Sequence, residues 1–172
     1  EAHGSSVPVI VLTSDNPLSH EAKGALTALD QPSLFRPVTK WAVLVKRGDM
    51  LPELVRRAFR VATTGRPGAV QIALPKDILD EEVGQPEIYA EPECRAYPAY
   101  PTRAEARALV QAAELLLAAQ RPVIVAGGGV LASRAWPELT TLAERLGIPV
   151  ATNINGKGSI TEDHPLSLGV IG

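Results

Sequence analysis

The sequence contains few of the residue types on which several common kinds of site depend. Cys94 is its single cysteine, which excludes an internal disulfide framework and a zinc site built from cysteines. The three histidines, His3, His20 and His164, share no motif spacing, so the pattern predicts neither a metal centre nor a nucleophile–base pair. The scarcity of cysteine favours a reducing, cytoplasmic setting.

Long apolar runs and a strong charge of either sign are also missing. No run reaches the roughly 20 apolar residues that a membrane-spanning helix needs. The 17 basic and 19 acidic residues leave a net charge of −2, so no broad basic field attracts nucleic acid or anionic lipid. We therefore expect neither a nucleic acid nor a membrane among the partners.

The two ends of the chain are abrupt. The chain begins at Glu1 without methionine or a signal-peptide pattern, and its last residues, 169–172, read as an apolar strand. From this we expect the chain to be a segment of a longer protein.

Short apolar runs alternate with amphipathic segments along the chain, a pattern that predicts an α/β fold with mainly parallel sheets. Strands are predicted over residues 7–12, 41–45, 69–74, 123–126, 148–151 and 168–171. Three long helices are predicted over residues 49–63, 102–120 and 133–146. A short helix could also form over 19–29, although Gly24 and Thr27 disfavour it.

Several residues mark the ends and faces of the predicted long helices. Asp49 is expected to cap the first helix, with Pro52 in its first turn. Thr102 and Glu105 form a capping box before the second helix, which carries a clear apolar stripe. Gly147 is expected to close the third helix. The residues of the third helix that are predicted to face the interior are Trp136, Leu139, Ala143 and Leu146.

Residues 84–101 divide the chain. This stretch contains four prolines and almost no periodic apolar pattern, so it is predicted to be a semi-extended linker. We therefore predict two partial three-layer α/β/α domains, at residues 1–83 and 102–172, of which the second is Rossmann-like.

The most informative local pattern is the turn between the strand 123–126 and the helix 133–146. Three consecutive glycines and Ala132 fit the pattern Gly-x-Gly-x-x-Ala. Glycines let the backbone approach a phosphate, and a helix N-terminus supplies unpaired N–H groups. A tight strand-to-helix turn explains the same pattern equally well. The glycines concerned are Gly127, Gly128 and Gly129.

The next strand ends at Thr152 and Asn153, without the acidic residue that binds the ribose in NAD-dependent proteins. A nicotinamide cofactor is therefore disfavoured, while a flavin nucleotide, another ADP-bearing ligand and no ligand remain open. Lys157 in the following loop could bind a phosphate or could be a solvated lysine.

Charged residues flank the predicted strand 69–74. Lys76 follows its carboxyl end, where open parallel sheets bind ligands, and Arg66 precedes it in a Gly-Arg-Pro-Gly turn. Either residue could bind a carboxylate or a phosphate, and either could be a surface charge. The acidic residues that follow are interpreted as a solvated face, and they are Asp77, Asp80, Glu81 and Glu82.

Several motifs, taken together, resemble a known family. They are residues 6–10, Phe35–Trp41, Ala62–Val70, Leu74–Asp77, Arg121–Gly129, Leu146–Thr152 and Gly156–Gly158. In this order they resemble the pyrimidine-binding and central domains of thiamine-diphosphate-dependent enzymes, most closely the acetolactate synthase-like family. The resemblance implies that residues 1–83 are the C-terminal part of the pyrimidine-binding domain. It also implies that residues 102–172 are the N-terminal part of the central, FAD/nucleotide-binding-like domain.

The resemblance implies a function for the whole protein. Members of this family bind thiamine diphosphate and Mg²⁺ between subunits, decarboxylate a small 2-oxo acid and often ligate the product to a second carbonyl. It therefore implies a homodimer or homotetramer. The family's activating glutamate would lie before Glu1, and its metal motif belongs to a third domain. This segment thus carries no catalytic or metal-binding residue of the family, and we expect it to be inactive alone.

The resemblance also assigns roles to individual residues. Lys76 matches a lysine beside the substrate channel, and Arg66 matches an arginine that approaches the flavin in members that hold FAD. The residues that match contacts to the ADP part of that FAD are Gly127, Gly128, Gly129, Thr152 and Asn153. Many relatives lack FAD, so these cofactor roles are conditional on flavin binding.

The channel motif of this sequence departs from the family pattern. Leu26 and Thr27 stand where acetolactate synthases carry Phe and Gln. Loss of the amide changes the hydrogen bonding beside the substrate, which leaves room for another oxo-acid lyase or carboligase. The alternative hypothesis is a non-catalytic nucleotide-binding or structural module of the same fold.

Overall fold

A computed structural model describes residues 1–171 of the chain. These residues form two compact units, Glu1–Tyr100 and a second that begins at Pro101. Each unit contains a three-stranded sheet whose strands are all parallel, with helices beside it. This confirms the predicted α/β fold with parallel sheets. None of the helices within residues 1–171 is long and apolar enough to cross a membrane.

The first unit is built around three strands and four α-helices. Its strands are β1 (Val9–Asp15), β2 (Trp41–Leu44) and β3 (Ala69–Pro75). Its helices are α1 (Ala2–Ser5), α2 (Gln31–Phe35), α3 (Leu51–Thr63) and α4 (Lys76–Leu79). The strand order is β1-β3-β2, and the register pairs Asp15 with Pro75. The carboxyl ends of β1 and β3 therefore meet at one edge of the sheet.

The core of the first unit forms where α3 packs on this sheet. Leu54, Ala58 and Ala62 are four residues apart, so they lie on one face of α3, and all three are buried. Strand β3 is the central strand, and six of its seven residues are buried, so side chains on both of its faces lie in the interior, which explains its nearly continuous apolar sequence. The other buried members of this core are Val45, Val70 and Ile72.

The start of α3 differs from the prediction. A 3₁₀ turn, Gly48–Met50, precedes the helix, and Asp49 lies within this turn. The Asp49 carboxylate accepts hydrogen bonds from the Arg47 guanidinium at 2.7 and 2.9 Å. The predicted Asp49 cap is therefore wrong, because a neighbouring cation binds the carboxylate instead of the helix amides. Pro52 lies in the first helical turn, as predicted.

The short helix considered for residues 19–29 does not form. After β1 the chain makes one 3₁₀ turn, Leu18–His20, and then further turns. Gly24 has a φ of +65°, which a continuous right-handed helix cannot accommodate. The next α-helix, α2, starts only after Asp30, whose carboxylate accepts a hydrogen bond from Ser33 N at 3.1 Å.

Residues 91–100 pack against α3 within the first unit. Glu91 forms an ion pair with Arg60, and the Arg60 Nε lies 2.8 Å from its Oε2. Cys94 is buried, and the Ala99 amide donates to the Thr63 carbonyl at 3.0 Å. This part of the proline-rich stretch is therefore held by specific contacts. The domain boundaries proposed from the sequence stay a prediction.

The second unit has a sheet of the same size. Its strands are β4 (Ile124–Ala126), β5 (Val150–Thr152) and β6 (Ser167–Val170), in the order β4-β5-β6. Its helices are α5 (Ala106–Ala118), α6 (Gly128–Ala132) and α7 (Trp136–Leu146). The buried residues of its core are Ala126, Ala143, Val150 and Ile160.

Two helices of the second unit differ from the prediction. Helix α5 begins at Ala106 without a side-chain cap, so Thr102 lies too far upstream to form the predicted capping box. The third predicted helix is interrupted because Arg134 has a φ of +57°, and α7 starts after it. The prediction that Trp136 and Leu146 face the interior is wrong, because they are 43% and 37% exposed. Gly147 closes α7 in the left-handed conformation, as predicted.

Candidate functional site

A cleft of about 380 Å³ opens at the carboxyl edge of the first sheet. It lies where β1 and β2 end, and the chain that follows β1 forms much of its lining. Ligands of open parallel sheets bind outside the carboxyl ends of the strands, so this cleft is the candidate site of the first unit. Its lining residues include Asp15, Asn16, Leu18, His20, Leu29, Asp30 and Leu44.

The wall segment of this cleft, residues 16–30, contains no buried residue and is held by hydrogen bonds. The Thr27 hydroxyl donates to the side-chain oxygen of Asn16 at 2.9 Å. Directly after the segment, the Gln31 amide donates to the Ser14 carbonyl at 2.7 Å. Thr27 therefore shapes the cleft through Asn16, whereas the Leu26 side chain is fully exposed and does not line it.

Asp77 connects the wall segment to the end of β3 by hydrogen bonds. Its Oδ1 accepts a hydrogen bond from Leu18 N at 3.0 Å, and its Oδ2 accepts one from Ser19 N at 3.4 Å. The bond from Leu18 N is the main reason that the pKa of Asp77 lies below its usual value.

The acidic run is solvated at Asp80, Glu81 and Glu82, which are exposed, but two of its four carboxylates also bind backbone amides. Asp77 binds the amides of Leu18 and Ser19, and Glu81 accepts a hydrogen bond from Gly48 N at 2.7 Å. Unpaired backbone amides of irregular segments need acceptors, and nearby carboxylates provide them.

Lys76 begins α4, directly after the carboxyl end of β3. Its Nζ lies 2.7 Å from Oδ2 of Asp80, and both side chains are largely exposed. An exposed ion pair of this kind contributes little to stability, so Lys76 could exchange Asp80 for the carboxylate of a ligand at small cost. The role of Lys76 beside a substrate channel stays a prediction.

Arg66 lies beyond the opposite end of β3. Its Nε donates to Ser6 Oγ at 2.7 Å, and its Nη2 donates to the Gly4 carbonyl at 3.1 Å. The seven residues of β3 separate the two ends of the strand by roughly 20 Å. The structure of the first unit therefore does not bring Arg66 and Lys76 into one site.

The glycine turn of the second unit packs closely against its own chain. A β-carbon on Gly127 would lie 3.3 Å from Nδ2 of Asn153, and one on Gly128 would lie 3.2 Å from the carbonyl oxygen of Asn155. A β-carbon on Gly129 would meet nothing within 4 Å. Both distances are short for a β-carbon contact, so packing within the chain favours glycine at the first two positions.

The loop after β5 supplies the other side of this packing. Asn153 uses its Oδ1 to accept a hydrogen bond from Gly156 N at 2.8 Å, and Thr152 is buried. Lys157 pairs with Glu162 at 3.0 Å, with both side chains exposed. Among the predicted nucleotide contacts, Gly127 thus packs against Asn153, whereas Gly128 packs against Asn155, which is not one of them. The role of these residues in nucleotide binding stays a prediction.

Sequence reasoning missed three residues of the cleft region. Asn16, Gln31 and Asp77 were not predicted as site residues, yet each makes a hydrogen bond that fixes the wall segment. The position of Asp77 directly after Lys76 and the carboxyl end of a strand was a usable signal. Its partner, the amide of Leu18, is 59 residues away and carries no mark in the sequence.

The carboxylates of the described residues are dispersed. Within residues 1–171, no three His, Cys, Asp or Glu side chains lie close enough together to hold a metal ion. Asp15, Glu21 and Asp30 all line the cleft, but their carboxylates do not lie close enough together to hold a metal ion.

Comparison with known proteins connects this architecture to one group of enzymes. Residues 109–172 match the family model described as "Thiamine pyrophosphate enzyme, central domain". Over 173 aligned residues, the chain is 44% identical to a probable acetolactate synthase large subunit of Methanocaldococcus jannaschii. This match covers 99% of the chain and 29% of that relative.

Two further relatives match over the same region. The chain is 37% identical to an acetolactate synthase of Arthrospira platensis, over 99% of the chain and 30% of that relative. It is 36% identical to a glyoxylate carboligase of Escherichia coli O157:H7, over 99% of the chain and 28% of that relative. The chain thus spans less than a third of the length of the relatives that it matches.

Proposed function

We propose that the whole protein is a 2-oxo-acid decarboxylase or carboligase, because this chain belongs to the acetolactate synthase-like family of thiamine pyrophosphate-dependent enzymes. The observation that carries the proposal is identity of 36% or more to two kinds of carboligase over 99% of the chain. The resemblance predicted from the motifs is confirmed.

The cofactor of this family, thiamine diphosphate (pyrophosphate), supplies a nucleophilic carbon for attack on the 2-oxo group and an electron sink for loss of CO₂. We propose that other parts of the protein hold Mg²⁺ and the diphosphate, because the resemblance assigns the family's metal motif to a third domain. The proposed task of the first unit is to shape the cleft at the carboxyl edge of its sheet and to restrict the entry of water there.

Lys76 is the residue that we propose to orient the substrate carboxylate. Its ammonium group lies beside the carboxyl end of β3, and its partner among residues 1–171 is the exposed carboxylate of Asp80. A positive charge at this position favours a small anionic substrate over a neutral one.

We propose that the substrate is a small 2-oxo acid such as pyruvate or glyoxylate. The relatives include both acetolactate synthases and a glyoxylate carboligase, so the family alone does not choose between these substrates. Thr27 already donates its hydroxyl hydrogen to Asn16, and Leu26 points into solvent. Thr27 stands where the resemblance implies a glutamine, so that side-chain amide is missing at this position, which supports a carboligase other than a strict acetolactate synthase.

The proposal extends to the assembly and its surroundings. We propose a cytoplasmic homodimer or homotetramer that uses Mg²⁺ and has neither nucleic acid nor membrane as a partner, supported by the balanced charge and single cysteine. If the protein holds FAD, we propose that the Gly127–Gly129 turn, Thr152 and Asn153 contact its ADP part, supported by the match of these positions to the family pattern.

The test is an assay of the full-length protein with thiamine diphosphate and Mg²⁺, supplied separately with pyruvate and with glyoxylate. We expect cofactor-dependent release of CO₂ and formation of a new carbon–carbon bond with at least one of them. The absorption spectrum reports bound flavin, and sedimentation reports the oligomer. A full-length protein that neither binds thiamine diphosphate by calorimetry nor consumes any 2-oxo acid would overturn the proposal.

A further inference from the structure

The carboxylate of Asp77 connects two parts of the first unit that are far apart in sequence. Its Oδ1 accepts hydrogen bonds from Leu18 N at 3.0 Å and from Ile78 N at 3.1 Å, and its Oδ2 accepts one from Ser19 N at 3.4 Å. One side chain thus joins the start of α4 to the 3₁₀ turn Leu18–His20.

The two parts differ in how firmly the fold holds them. Asp77 follows β3, which is paired on both sides and buried along most of its length, so the backbone before Asp77 is fixed by the core. The wall segment, residues 16–30, has no buried residue, so apolar packing does little to fix its position. Its geometry depends on the hydrogen bonds that it makes.

The other hydrogen bonds of the wall segment do not replace this connection. The Thr27 to Asn16 bond lies within the segment itself, and the Gln31 to Ser14 bond joins its far end to β1. Only the bonds to Asp77, among those described for residues 16–30, join the segment to the residues that follow β3. Leu18 and Asn16 both line the cleft, so a shift of this turn changes the shape of the cleft.

We propose that Asp77 is a positioning residue that sets the shape of the substrate cleft by holding the Leu18–His20 turn against the end of β3. This inference rests on the proposed function, because it assigns the cleft at the carboxyl edge of the first sheet to the 2-oxo acid. Asp77 acts through backbone amides and not by contact with the substrate. Lys76, its neighbour in sequence, is bound to Asp80 and takes no part in this connection.

The experiment compares three variants of the full-length protein. Asp77→Ala removes both acceptor oxygens, and Asp77→Asn keeps one of them in the same shape. Glu82→Gln is the matched control, since Glu82 is an exposed carboxylate of the same acidic run, outside the cleft lining. Hydrogen exchange of peptides that cover residues 16–22 measures the connection, and steady-state kinetics with the active 2-oxo acid measure its consequence.

We expect exchange at Leu18 and Ser19 in Asp77→Ala to be about fivefold faster or more, as for a lost hydrogen bond. The KM for the 2-oxo acid should rise by a similar factor, while kcat and the affinity for thiamine diphosphate change less than about twofold. Asp77→Asn should lie between Asp77→Ala and the wild type, and Glu82→Gln should match the wild type. If Asp77→Ala does not fold, the comparison of Asp77→Asn with Glu82→Gln decides.

Two results would overturn the inference alone: unchanged exchange at Leu18 and Ser19, or faster exchange with an unchanged KM in an active enzyme. A wild-type protein that consumes no 2-oxo acid would instead overturn the proposed function, and the inference with it. The failure of the positioning role and the failure of the proposed function are therefore distinguishable.

Discussion

Single side chains fix much of the irregular backbone of the first unit. Asp77 binds the amide of Leu18, and Glu81 binds that of Gly48. Lys40 donates to the carbonyls of Val61 and Thr64 at the end of α3, and the Thr64 distance is 2.7 Å. These contacts satisfy backbone groups that lie outside helix and sheet ladders.

Gly156 offers a test at the scale of one residue. A β-carbon there would lie 2.2 Å from the carbonyl oxygen of Ala126 and 2.9 Å from the Cα of Gly127, so backbone would have to move. We expect Gly156→Ala to destabilise the protein by roughly 1–3 kcal/mol, measured as a lower urea midpoint. Gly129→Ala is the control, because it meets nothing within 4 Å and should change stability by no more than about 1 kcal/mol. Equal midpoints for the two variants would contradict the close packing of this turn.

Lys76 provides a residue-scale test of the proposed site. Replacement of Lys76 by Gln removes the positive charge and keeps an exposed polar side chain at this position. We expect kcat/KM of the full-length enzyme for its 2-oxo acid to fall about tenfold or more, since a hydrogen bond to a charged group is lost. Lys46→Gln, at another exposed lysine of the same unit, should leave kcat/KM unchanged. Equal kinetics of both variants would remove Lys76 from the site.

Secondary-structure elements were predictable where their signals are local. Strand β3 was identified by the apolar run Ala69–Leu74. Helix α3 was identified by the four-residue spacing of Leu54, Ala58 and Ala62, since burial of these apolar side chains decides the local structure. The start of α3 was not predictable in the same way. Asp49 has the right type and place for a cap, but Arg47 competes for its carboxylate.

The candidate site was predictable only in outline. Strand direction predicted Lys76 after the carboxyl end of β3 and Arg66 before the opposite end, but Lys76 is not among the residues that line the cleft. The partner of Asp77 was not predictable, because a hydrogen bond to a backbone amide leaves no residue type to recognise. The glycine turn was ambiguous for a similar reason: glycine permits approach of a phosphate or of the chain itself, here at Asn153 and Asn155.

The segment 91–100 gives a prediction at the scale of one element. Glu91 binds Arg60, which is the main reason that the pKa of Glu91 lies below its ordinary 4.5. Because the pKa of Glu91 in the folded protein is lowered, the ion pair contributes its full stabilisation above pH 4.5. This stabilisation is lost as the pH falls through the folded pKa. Hydrogen exchange of residues 91–100, corrected for intrinsic rates, should therefore be constant from neutral pH to about pH 5 and accelerate below that.

Variants make this pH prediction specific. Glu91→Gln should exchange faster than the wild type at neutral pH and should lose most of the acceleration in acid. Glu93→Gln, two residues away and exposed, should behave like the wild type. Acid acceleration that persists unchanged in Glu91→Gln would show that another group holds the segment.

Within the second unit, helix α5 carries an exposed apolar surface. None of the residues of this helix is buried, although Leu109, Val110 and Leu117 share one face. Monomeric proteins rarely leave a continuous apolar stripe in water, because its burial is favourable. We therefore expect the 172-residue chain, produced alone, to self-associate as its concentration rises. We also expect it to consume no 2-oxo acid, because the resemblance assigns the activating glutamate and the metal motif to other parts of the protein.

Sedimentation of the isolated chain checks this expectation. Its weight-average mass should rise above 18.2 kDa with concentration. The double variant Leu109→Glu/Leu117→Glu should return the mass toward the monomer, because it places two negative charges on the stripe. Gln111→Glu is the control, since Gln111 lies on the opposite side of α5, and it should associate like the wild type. A constant monomer mass for the wild type, or equal effects of the two substitutions, would show that the stripe on α5 does not drive association.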